Sequence, residues 1–135
     1  MKHHTEALVS AIEEVPAFAG RIFLSFAPHG TAKPYLVVHA ANGTNTQPGA
    51  TSPRVTRNPE YTIHVVGTGA GQVQTLMDLL EAKLFPGGRG LALTVAGEVS
   101  KPLTYACPLP IQVQTDPQPT VVYGVVEVGW SADPV

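Results

Sequence analysis

The sequence predicts an α+β domain, a mostly antiparallel β-sheet with two helices packed on one face. Three observations carry this. Two stretches place apolar residues at helical spacing, and six others alternate or run rich in valine. The elements follow the order α-β-β-β-α-β-β-β, with strands in runs and not in βαβ units. No internal repeat and no linker divides the chain, so residues 1–135 read as a single domain.

The first helix is expected over Thr5 to Val15. Leu8, Ala11, Ile12 and Val15 fall at i, i+3, i+4 and i+7, the stripe of an amphipathic helix. Thr5 is expected to cap its start, and Glu6 suits the positive end of the helix dipole. Pro16 ends it, because a proline disfavours helical geometry in the preceding residue. Arg21 to Phe26 alternates, with Ile22, Leu24 and Phe26 on one face, and Ala27-Pro28-His29-Gly30 turns the chain. Tyr35 to Ala40 reads as the second strand, after Pro34. Asn42 to Pro53 carries almost nothing apolar and reads as a long polar loop, a kind usually functional or disordered. Thr56 to Val66 is the third strand, with Tyr61, Ile63 and Val65 alternating against Thr62, His64 and Val66.

Gly67-Thr68-Gly69-Ala70-Gly71 breaks that strand. Gln72 to Leu84 is the strongest helix, with Val73, Leu76, Met77, Leu80 and Leu84 in one stripe. Pro86-Gly87-Gly88 stops it. The remainder is strand and turn: Leu91 to Val95, Leu103 to Leu109 and Thr120 to Trp130, separated by turns and by prolines at 108, 110, 117 and 119. In the last strand Val122, Val126, Val128 and Trp130 face one way, and Val121, Tyr123, Val125 and Glu127 the other. Leu76, Leu80, Ile63 and Val126 are expected to share one core.

Composition narrows the function. Charged residues are 13% of the chain, about half the usual share of roughly 25%. A surface so poor in charge fits a subunit covered by neighbours. The net charge of -2, with no Lys/Arg run, provides no surface for gripping nucleic acid. Cys107 is the single cysteine, which excludes an intramolecular disulfide and fits a reducing compartment. No apolar run approaches the roughly 18 residues of a membrane span, and the N-terminus lacks the apolar core of a signal peptide. Synthesis in the cytoplasm is expected.

Motifs for chemistry are wanting. The glycine segment at 67–71 lies where phosphate-binding loops occur, but Gln72 stands where the dinucleotide fingerprint needs its third glycine. No Gly-Lys-Ser/Thr is present. His3 and His4 are expected in a frayed terminus. His39 and His64 are expected on neighbouring strands of one sheet face, without a third ligand to hold zinc. No serine sits in a Gly-x-Ser-x-Gly elbow, and Cys107 is expected as a small buried hydrophobe. No catalytic, cofactor-binding or metal-ligating residues are assigned, and no cofactor is expected.

Several segments together resemble the tail terminator, or tail completion, family of long-tailed bacteriophages and prophages. They are the short opening helix, the strand Arg21-Ile22-Phe23, and the run Ala27-Pro28-His29-Gly30-Thr31-Ala32-Lys33-Pro34-Tyr35 leading into Leu36-Val37-Val38. After a variable loop come Glu60-Tyr61-Thr62-Ile63-His64-Val65-Val66, the helix Gln72 to Leu84 and a Val-rich final strand. The likeness spans nearly the whole chain, and its most specific piece is Gly30 to Tyr35. It implies a non-enzymatic structural protein of the virion, in the neck of the tail. Such subunits form a ring, commonly a hexamer, on the head-proximal end of the tail tube, stopping tube growth and joining tail to head. The implied partners are other copies of the chain, the major tail tube protein and the head-tail connector protein. Genome DNA would pass through the ring without being bound specifically.

Within this reading the contact is expected at sheet edges and the polar loop. The candidate inter-subunit or tail contacts are Asn42, Thr44, Asn45, Thr46, Gln47, Arg54 and Arg57. A head-tail connector subunit or a minor tail protein is the alternative within a virion. A small cytoplasmic ligand-binding domain using the glycine turn is the alternative outside one.

Overall fold

The computed structural model describes residues 2–28, 30–41, 44–46, 56–115 and 121–134. It is an α+β fold. Helix α1 spans Lys2–Glu13 and buries His4, Leu8, Ala11 and Ile12. It begins before Thr5, so Thr5 is not its cap. The Thr5 hydroxyl instead meets the Tyr61 hydroxyl at 2.9 Å. The helix yields ahead of Pro16 as predicted, and Val15 is extended (φ −79°, ψ 119°).

The main sheet contains β1 (Ile22–Leu24), β2 (Tyr35–Ala40), β5 (Glu60–Gly67), β9 (Val121–Gly129), β7 (Thr104–Ala106) and β8 (Gln112–Gln114). The order across it is β1-β2-β5-β9, and both β7 and β8 pair with β9. The β1–β2 pair is parallel, with Ile22 opposite Leu36, and all other pairs are antiparallel. The expected single strand from Leu103 to Leu109 is cut short at Ala106. Pro108 and Pro110 have no N–H to donate, so the chain leaves the ladder there and returns as β8. Leu91 to Val95, also expected as a strand, is not one: Val95 makes an isolated bridge to Glu98, and the Leu91 carbonyl accepts from the Leu103 N–H at 3.0 Å.

A second sheet was not legible in the sequence. It has the order β3-β4-β10-β6, from β3 (Thr44–Thr46), β4 (Thr56–Asn58), β10 (Ala132–Pro134) and β6 (Glu98–Ser100). The strand expected over Thr56 to Val66 is therefore two strands in two sheets. The break is Pro59, which is buried and has no N–H for a ladder. The partner strand changes sheet at the same level: the Trp130 N–H donates to the Pro59 carbonyl at 3.2 Å, and β10 follows. Trp130 continues the buried face of Val122, Val126 and Val128, as the alternation predicted, and stacks on Tyr61 where the chain turns into the second sheet. The segment read as one long loop carries β3 at Thr44–Thr46, and the rest of 42–53 lies outside the described residues.

Helix α2 (Ala70–Leu84) lays Val73, Leu76, Leu80 and Leu84 on the sheet. It packs on β5 and β9, and α1 packs beside it. Leu76, Leu80, Ile63 and Val126 share one core, as expected, together with Leu8, Ile12, Leu36 and Trp130. Gly124 permits the close approach of helix and sheet, since a Cβ there would lie 2.3 Å from the Met77 sulfur. Among the described residues no helix is long and apolar enough to cross a membrane.

Candidate interaction surfaces

The glycine turn is closed by its own helix. Gly69 is the residue before α2, and Gln72 is in the first turn. The Gln72 side-chain oxygen accepts from the Thr68 N–H at 2.8 Å and lies 3.0 Å from the Thr68 hydroxyl. This resembles the back-reaching half of a capping box. The residue that stands where a nucleotide fingerprint needs its third glycine therefore turns an acceptor oxygen onto the Thr68 N–H and hydroxyl of the turn.

The histidines separate into two environments. His39 and His64 lie on neighbouring strands of one face, as the alternation predicted, with ring centroids 4.8 Å apart. Tyr123 continues the row, 5.3 Å from His64. Burial pushes the His64 pKa below the usual histidine value, and His39 beside it adds to that. Among the described residues no group of three or more His, Cys, Asp or Glu side chains is placed to hold a metal ion. His29 lies outside the described residues.

His4 corrects the expectation of a frayed terminus. The residue is 2% exposed, and its Nε2 is 2.6 Å from Glu98 Oε2. Arg57 Nε lies 3.5 Å from the other Glu98 oxygen, and the Trp130 ring centroid is 6.0 Å from that of His4. This cluster ties α1 to the second sheet. Its signal was present in the sequence: His4 is one turn before Leu8 on the buried stripe, and only its polarity and terminal position concealed it.

The candidate contact residues divide. Asn42, Gln47 and Arg54 lie outside the described residues. Thr44, Asn45 and Thr46 form β3, opposite Asn58, Arg57 and Thr56 of β4. Arg57 is thus beside β3, although its guanidinium also serves Glu98 within the same chain. These four residues are brought together at one end of the second sheet.

Two features escaped the sequence reading. The first is the bulge between β7 and β8. On the partner strand Ala106 pairs with Glu127 and Gln112 with Tyr123, so five residues, 107–111, face only three. The surplus arches outward and walls a cavity of about 420 Å³ against α2. Cys107 is consequently exposed, not buried as expected. The second is the end of β1. The Phe26 N–H donates to the Leu24 carbonyl at 2.8 Å, with Ser25 at φ 67°. Leu24 and Phe26 are 55% and 73% exposed. A larger open groove of about 590 Å³ runs between α1 and residues 91–96.

No protein-family model matches the sequence, and no curated protein matches it. Two solved structures share the fold from end to end. One is a chain in the virion of a native gene transfer agent particle, with TM-score 0.57 and 14% identity, covering 95% of this chain and 96% of that one. The other has TM-score 0.54 and 17% identity over 96% of this chain and 91% of its own.

Proposed function

We propose that this chain is a structural virion subunit, and within that class a tail terminator. It forms a ring on the head-proximal end of the tail tube, ends tube growth and presents the tail to the head connector. The observation that carries the reading is the end-to-end fold likeness to a chain of a phage-like virion particle. The sequence resemblance from Gly30 to Tyr35 points to the terminator within that class. The remaining observations fit. The charge content is low for a solvated monomer, and the glycine turn is filled by Gln72, which disfavours the ligand-binding alternative. The partners are then further copies of the chain, the major tail tube protein and the connector.

The test uses tubes. Purified chain is mixed with polymerising tail tube protein and imaged by electron microscopy. Density capping one end of each tube is expected, with tube length arrested. Tubes that elongate uncapped while the chain binds isolated head complexes would put a connector role in its place.

A further inference from the structure

We propose that copies of this chain join head to tail, the Leu24–Phe26 turn of one copy seated in the β7–β8 cavity of the next. This rests on the ring reading above and names the contact that would build the ring.

The donor feature is strained and apolar. An i to i+2 turn with its central residue near φ +75° is rare, and Ser25 has neither glycine's freedom nor asparagine's preference for positive φ. Backbone strain of this kind persists where the surroundings or a function maintain it. Its effect here is to hold Phe26 into solvent beside Leu24. Two large apolar side chains are thus displayed at the end of an outermost strand and just beyond it, where burial would otherwise be favourable.

The acceptor feature has matching chemistry. The cavity is lined by Met77, Tyr105, Leu109 and Ile111, with Asp78 and Glu81 of α2 at its wall. Met77 is an adaptable filler, and an aromatic ring against its sulfur is a favourable contact. The floor is fixed by the Tyr105 hydroxyl, which donates to the Met77 carbonyl at 3.3 Å. Leu109 on the wall is itself 51% exposed.

Charge assigns the occupant. The charged residues flanking the turn in the sequence are Arg21 and Lys33, and no Asp or Glu lies between Val15 and Pro59. The apolar turn lies inside this acid-free segment, and the cavity carries two carboxylates. A second copy of the same chain therefore supplies the complementary charge.

The topology supplies the direction. β1 is one outer strand of the main sheet, and β7 and β8 form the other. Leu24 is paired with Val38, and Tyr105 with Val128. Val38 and Val128 both belong to the helix-side core, so Leu24 and Tyr105 share one face of the sheet, on opposite outer strands. A contact between different patches, repeated in one sense, is the heterologous kind that closes rings.

The chain offers a direct chemical test, because Cys107 is its single cysteine and lines the acceptor cavity. In full-length Phe26→Cys protein, a short bismaleimide is expected to give a ladder of species beyond the dimer. Mass spectrometry should find position 26 joined to Cys107. The wild-type chain, with one thiol, stops at a dimer. Glu81→Arg in the Phe26→Cys background should thin the ladder. Bridges only from 26 to 26 and from 107 to 107 would overturn the proposal. So would a ladder no greater than that of Val99→Cys, an exposed apolar position on the second sheet. Tube capping keeps the two readings apart. If Phe26→Asp still caps tubes and no 26-to-107 bridge forms, the contact is wrong and the terminator reading stands. If the bridges form but wild-type chain caps no tube, the contact stands and the terminator reading falls.

Discussion

His39 and His64 meet ring to ring across β2 and β5, 4.8 Å between centroids and tilted by 62°. His64 is half-buried between His39 and Tyr123.

That geometry sets a pH dependence. Burial first, and His39 second, lower the folded-state pKa of His64 from the ordinary value of 6.5. The unfolded chain then binds the proton more readily, so stability is present above pH 6.5 and is lost as pH falls through that value towards the folded pKa. Urea midpoints should drop between about pH 7.5 and pH 5.5. His64→Gln should reduce that drop, and an unchanged pH profile in this variant would refute the assignment.

Leu80 is 0% exposed at the centre of the helix–sheet core. Leu80→Ala is expected to cost about 2–5 kcal/mol through lost burial and the cavity left behind. Chemical denaturation measures it, and a loss below the cost of a surface substitution would mean that α2 presents a different face.

Two glycines should differ in a stated order. A Cβ at Gly90 would lie 1.8 Å from the Leu103 carbonyl oxygen, while one at Gly124 would meet the Met77 sulfur. A backbone carbonyl held in the fold cannot swing aside as a thioether can. Gly124→Ala is expected to cost about 1–3 kcal/mol, the usual range for overpacking. Gly90→Ala should cost more, and thermal melting of the two variants side by side decides the order.

The pair of His4 and Glu98 gives a fourth test. Glu98→Ala would leave the buried imidazole without its carboxylate, an unsatisfied group costing about 1–3 kcal/mol. Trp130, the single tryptophan, packs against the same ring, so its fluorescence should shift in the folded variant. No change in either signal would mean that α1 is not anchored there.

Periodicity made the main sheet and both helices legible, because Leu8 to Ile12, Tyr61 to Val65 and Val73 to Leu84 bury one face against one core. The second sheet was hidden for a physical reason. Its strands are three residues each, too short to show a period of two, and Thr44–Thr46 is polar throughout. Pro59 was the available sign that Thr56 to Val66 is two strands, and the alternation beyond it masked that sign. The surfaces were less legible still. The cavity depends on how many residues lie between two pairings on β9, and the Phe26 turn depends on a positive φ at a serine, neither of which composition reveals. The buried His4 was misread because a polar residue near a terminus is usually solvated.

The prolines at 108 and 110 do more than shape a cavity wall. A foreign strand laid along residues 104–114 would find no donor at either position, and it would have to follow an arch that departs from the pleat. That margin is a poor template for cross-β growth. A chain of this composition, apolar and weakly charged, is thereby guarded on this side against fibrillar self-templating, and its recognition of other molecules there must pass through side chains.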